Sequence, residues 1–216
     1  MLLTIDTTGR LLALALHRGP DAPVFHHVED APMRQVERLF PALGEALAAH
    51  GIRRDAITRV AAITGPGSYT GIRAGLSAVL GLAQALGVPA LGIGGLEALA
   101  EAAADAGVAA PVFVALPVGR GRWAGIAWHG PSAPAARLPE DVAWGAAGDL
   151  ARAAGDLPLV VAAEGEEAGE LPARLRVPMA PRLDAAARLL WTADPPARPP
   201  EPCYLRPVQL GPAAGR

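Results

Sequence analysis

The sequence predicts a mixed α/β protein, and three observations carry that prediction. Apolar residues make up 51% of the 216 positions and charged residues 19%, enough for a packed core. Short strand-like runs open the chain, and later runs alternate with helix-period segments. Continuous apolar runs such as RVAAITG have the length and content of strands buried on both faces.

Taken in order, MLLTIDTT reads as a strand and RLLALALHR as a second, joined at Thr8-Gly9. A third strand is expected around VFHHV. MRQVERLFPALGEALAAHG places Val36, Leu39, Phe40, Leu43 and Leu47 at helix spacing. Gly51 suits its C-terminal cap, and Pro41 predicts a kink or a restart. RVAAITG follows as a buried strand, then a helix over residues 70–86, a VPALGI strand and a GLEALAEAAADAG helix. The first hundred residues therefore run β-β-β-α-β-α-β-α, with antiparallel hairpins first and parallel strands after.

From residue 111 the order begins again. PVFVALPV and RWAGIAWHG form a hairpin around Gly119-Arg120-Gly121. A polar, proline-rich passage, a short AAGDLARAAG helix, an LPLVVAAEG strand and an LDAAARLLW helix follow. The expected division is a first lobe of residues 1–100 and a smaller second lobe of residues 101–202. The tail 203–216 is a candidate to return to the first lobe.

The stretch TGPGSYTGIRAGLSAVLGLAQAL, residues 64–86, poses the main question. A phosphate loop would need a lysine, and the chain has none. Gly65-Pro66-Gly67 is followed by Gly71, one residue too far for the dinucleotide fingerprint. Pro66 also removes an N–H such a loop would use. The structural reading is a sharp glycine turn, with Ser68 or Thr70 capping a helix. Only Arg73, Ser77 and Gln84 are polar in that helix, so it needs cover on more than one side. Either the residue 33–50 helix and its neighbours supply it, or a second polypeptide does; the pattern favours the second.

The remaining chemistry is thin. The net charge of −2 argues against an autonomous nucleic-acid binder. The single Cys203 excludes an internal disulfide and a thiolate cluster, and suits a reducing cytosol. Residues 74–96 carry no charge, but Gly87, Pro89, Gly92, Gly94 and Gly95 break them, arguing against a membrane span. MLLTIDTTGR lacks the features of a signal peptide, so a cytoplasmic location is expected. None of His17, His26, His27, His50 and His129 has zinc spacing, and His26 and His27 point to opposite faces of a strand. Ser68 is not in a nucleophile elbow. Trp123, Trp128, Trp144 and Trp191 read as core or lobe-contact residues. Asp6 reads as a turn residue bonding local backbone. No catalytic, cofactor-binding or metal-binding residue is assigned.

GPGSYTGIRAGLSAVLGLAQALGVPALGIGGLEALA closely resembles the signature of the bacterial TsaB family, also called YeaZ. MLLTIDTT, VERLFPAL and PCYLRPV extend the resemblance in family order, together covering about a third of the chain. The resemblance implies the two-lobed actin-like, Hsp70-like and sugar-kinase ATPase fold, which is ribonuclease H-like, with mixed sheets flanked by helices. It implies a non-catalytic scaffold for placing threonylcarbamoyl on N6 of adenosine 37 in tRNA. Expected partners are a TsaD-like catalytic subunit, a TsaE-like ATPase and, when alone, a second copy; tRNA would be met only through the complex. The pairing helices would be residues 33–50 and 70–86, with Val36, Phe40, Leu43, Leu47, Ile72, Arg73, Leu76, Ala78 and Leu80 as interface candidates. The alternative is a nucleotide-binding phosphotransferase or ATPase acting between the lobes. In active members of that superfamily an acid at the position of Asp6 helps hold Mg²⁺ and phosphate. The chain departs from the family pattern in two places. Gln35-Val36-Glu37 stands for the usual His-Ser-Glu, and Leu116-Pro117-Val118-Gly119 for Leu-Asp-Ala-Arg, so the second acid of an active cleft is missing.

Overall fold

The computed structural model describes residues 1–130, 142–163, 171–191, 193 and 198–205. The expected proline-rich passage falls largely outside these residues, as do the end of the LPLVVAAEG strand and all of the tail beyond Leu205.

The first half follows the expected order: β1 (Leu2–Asp6), β2 (Leu11–Gly19), β3 (Ala22–Asp30), α1 (Gln35–Ala49), β4 (Arg59–Ile63), α2 (Tyr69–Leu86), β5 (Ala90–Ile93) and α3 (Gly95–Asp105). They form a five-stranded sheet of order β3-β2-β1-β4-β5. β1 pairs antiparallel with β2 and parallel with β4. β1 and β4 are therefore central, which is why LLTID and the last four residues of RVAAI are buried throughout.

The second half contains β6 (Val112–Gly119), β7 (Arg122–Trp128), β8 (Ala143–Gly145), α4 (Ala147–Ala154), β9 (Leu159–Ala162), β10 (Leu175–Val177) and α5 (Met179–Trp191). Their sheet order is β10-β9-β6-β7-β8, the same plan as the first sheet. β8 and β10 are edge strands of three residues each and were not foreseen. The fully buried Trp123 is core, as expected, but Trp144 is 37% exposed, with Arg122 over its ring at 4.9 Å.

The layers explain the burial pattern. Leu3, Ile5, Leu12, Leu14 and Leu16 face α1 and α2. Leu2, Ala13, Ala15, Ala61 and Leu91 face the opposite way, against Leu183, Ala186 and Leu190 of α5. Leu99 and Ala103 of α3 pack instead on the second sheet, against Val114 and Ile126. Thus α3 and α5 fill the space between the sheets, α3 packing chiefly on β6, the strand that follows it, and α5 on first-sheet strands distant in sequence, and residue 100 lies inside α3. On the outer face of the second sheet, Trp123 and Phe113 meet Leu150 of α4.

Helix α1 runs unbroken through Pro41, which lies on its exposed side, so no restart occurs there. Gly51 follows its last turn with φ +63°, a conformation that favours glycine.

Candidate partner-docking surface

The opening glycine stretch is built onto the turn after β1. The Oδ1 atom of Asp6 accepts from the Thr8 N–H at 2.8 Å and from the Thr8 hydroxyl at 2.7 Å, a local side-chain turn. The Ser68 N–H donates to the Thr8 carbonyl at 2.7 Å, and the Thr7 hydroxyl donates to the Gly71 carbonyl at 2.7 Å. Ser68 caps α2, its hydroxyl accepting from the Gly71 N–H. A Cβ on Gly67 or Gly71 would collide with the Thr8 or Thr7 backbone, so the glycines permit this contact. The Asp6 carboxylate and the Gly71 N–H are thus each bonded within their own turn, and the Ser68 N–H and the Thr7 hydroxyl tie the two turns together. Gln35 donates to the Gly9 carbonyl at 2.6 Å and ties α1 to the same turn.

The chain's own tail lies across the ends of β4 and β5. The Gly92 N–H donates to the Arg198 carbonyl at 2.9 Å, and the Cys203 N–H donates to Thr64 at 2.8 Å. Arg198 also contacts both carboxylate oxygens of Glu97 at 2.8 Å. Burial pushes the Glu97 carboxyl above its ordinary value, with Arg198 opposing, and burial likewise raises the Cys203 thiol. Tyr204 packs at a tilt against Tyr69 at the start of α2, with ring centroids 5.0 Å apart and 42° between the ring planes.

Beyond that turn, α1 and α2 present an unusual outer face. Val36 is 56% exposed, Phe40 54% and Leu80 50%. Met33, before α1, is almost wholly exposed with φ +61°, and Tyr69 is exposed at the head of α2. Five of the seven large exposed apolar side chains among the described residues therefore belong to this helix pair and its lead-in. Val36, Phe40, Gly44 and Ala48 recur every four residues and are all exposed, a single stripe along α1. Arg73, Ser77, Leu80, Gly81 and Gln84 form the corresponding exposed strip of α2. At the far end of the pair, Leu47, Ala48, Ile52, Arg54 and Leu86 line an open groove of about 690 Å³. The stripe is flanked by charge: Arg38 bridges Glu29 at 2.8 Å, and that hydrogen bond holds the Glu29 carboxyl below its usual range.

This geometry corrects part of the sequence expectation. Of the nine interface candidates, Val36, Phe40, Arg73 and Leu80 are on the surface. Leu43, Leu47, Ile72, Leu76 and Ala78 are buried in the chain's own core. The helix over residues 69–86 is thus largely covered by its own sheet and by α1, because Gly71 and Gly75 let it sit close to Thr7. Its outward strip, not its apolar circumference, is what remains. The four-residue recurrence from Val36 was the signal that could have located the strip; Met33 and Tyr69 gave none.

Two sheets of identical mixed order, with helices between and outside them, define a duplicated ribonuclease H-like architecture, that of the actin-like ATPase superfamily. The family model described as TsaD, tRNA N6-adenosine threonylcarbamoyltransferase, matches residues 29–124. The chain is 32% identical over 150 residues to the tRNA threonylcarbamoyladenosine biosynthesis protein TsaB of Escherichia coli, covering 65% of this chain and 64% of that protein. It is 34% identical over 116 residues to the Haemophilus influenzae protein of the same name, covering 53% and 48%. A Pseudomonas aeruginosa crystal structure, described as similar to peptidase YEAZ, superposes with a TM-score of 0.67 at 25% identity. It covers 95% of this chain and 99% of that one. In sequence and in fold the chain is similar to proteins of the TsaB (YeaZ) family. The matched segments span less than two thirds of these curated relatives' own lengths.

Proposed function

We propose that this chain is a non-catalytic scaffold subunit of the assembly that installs threonylcarbamoyl on N6 of adenosine 37 in tRNA. The names of its relatives supply the pathway. The outer face of α1 and α2 supplies the physical role. Large apolar side chains concentrated on one helix pair mark a protein-binding surface, and this concentration is the observation that carries the reading. The partner is a TsaD-type catalytic subunit or, in its absence, a second copy of the chain; a TsaE-type ATPase completes the assembly. A stable interface of this kind buries roughly 1,200–2,000 Å². We retain two lobes, residues 1–100 and 101–202, with α3 crossing between them, and a cytoplasmic location; no helix among the described residues is long and apolar enough to cross a membrane.

Reconstitution tests the role. Modification of tRNA by the TsaD-type and TsaE-type proteins should collapse when this chain is left out, and the chain alone should turn over no ATP with Mg²⁺. Full modification without it, or steady ATP turnover by it alone, contradicts the proposal.

A further inference from the structure

A cluster on the opposite face of the first sheet has no part in docking. His17 of β2 and His26 of β3 come together because of the strand pairing. Ala15 stands opposite His26, and His17 lies two residues along the same face. Both imidazoles meet Asp184 of α5: its Oδ1 lies 2.8 Å from the His17 Nε2 and 2.6 Å from the His26 Nε2. One nitrogen from each ring and one carboxylate oxygen all lie within 4.8 Å of one another. His27, pointing to the other face, meets Glu29 instead.

We propose that His17, His26 and Asp184 bind a divalent transition-metal ion of the zinc class, which pins α5 to the two outer strands of the first sheet. Two imidazole nitrogens and one carboxylate are a donor set such ions favour, and three protein ligands leave a position for water. His17 is sealed inside, whereas the side chains of His26 and Asp184 are about a quarter exposed, which provides an entry path. In a tetrahedral zinc site, ligand atoms stand about 3.3 Å apart. The present 2.6–2.8 Å spacings must therefore open by roughly half an ångström, a movement available to the partly exposed Asp184. Arg188, one turn further along α5, is the nearby opposing charge, and it is paired with Asp21 and Asp105. The His17 Nδ1 is buried without a hydrogen-bond partner, so an ion on Nε2 lacks the usual outer support. Affinity should accordingly be ~10–100-fold weaker than at a fully supported site.

The test uses the full chain carrying Cys203→Ser, which removes the sole thiol, after chelator treatment. Titration with Zn²⁺ should show one equivalent bound and a rise in melting temperature. His27→Gln should bind as the parent does, while His26→Gln and Asp184→Asn should lose at least tenfold in affinity, with circular dichroism confirming their folds. The Co²⁺-loaded parent gives a readout needing no site variant: visible absorption bands of a nitrogen-ligated, four-coordinate ion. Absence of stoichiometric binding, absence of those bands, or equal affinity in His26→Gln and Asp184→Asn overturns the proposal, leaving the three residues as a hydrogen-bonded lock on α5.

Discussion

Gly71 shows how much one missing side chain decides. The Thr7 backbone occupies the space where its Cβ would stand, and the Thr7 hydroxyl bonds its carbonyl. Gly71→Ala must push α2 off the β1 turn, so the expected cost is about 1–3 kcal/mol, as for an overpacked core. Gly81, with open space around it, is the matched control: Gly81→Ala should stabilise the monomer by up to about 1 kcal/mol through helix propensity. Urea unfolding of both variants checks this, and equal effects would contradict the contact. The reading of Asp6 as a turn residue was legible in the sequence because an Asp two residues before a Thr can bond it locally. The bond from Gln35 to Gly9 was not, since nothing local announces a partner 26 residues away.

At the scale of elements, α2 separates what periodicity reveals from what it hides. Its existence and cap were legible: glycine, serine and a long uncharged run define a start and a helix. Its orientation was not. When small and apolar residues surround a helix, pattern alone cannot distinguish the face on its own sheet from the face left for a partner. The structure resolves this through Leu76, buried against the first sheet, and Leu80, four residues on and half exposed. Leu76→Ala should therefore destabilise the monomer by about 2–5 kcal/mol, whereas Leu80→Ala should change it by less than about 0.5 kcal/mol. Thermal or urea unfolding measures both; similar losses would place Leu80 in the core. β8 and β10 escaped notice because three-residue edge strands are too short to display alternation. The two histidines of the α5 cluster are nine residues apart in sequence, and the register of β2 on β3 joins them only once the hairpin is formed.

For the whole molecule, duplication was readable as element order, but the packing of α3 on the second sheet and α5 on the first was not. Both helices carry alanine-rich apolar faces that would suit either sheet, and only the path of the chain assigns them. That arrangement joins the halves through their middle layer. It leaves α1 and α2 as an outer layer, with the tail from Arg198 to Leu205 held across the ends of β4 and β5. The ends of β4 and β5 are thus covered by the chain's own tail, while the outer face of α1 and α2 meets solvent. The decisive measurement is sedimentation velocity on the chain mixed with a TsaD-type protein, the proposed partner, wild type against the double variant Phe40→Glu and Leu80→Glu, with circular dichroism on each. The wild type should sediment as a complex and the variant as two separate folded proteins. A folded variant that still forms the complex would show that this helix face is not where the partner binds.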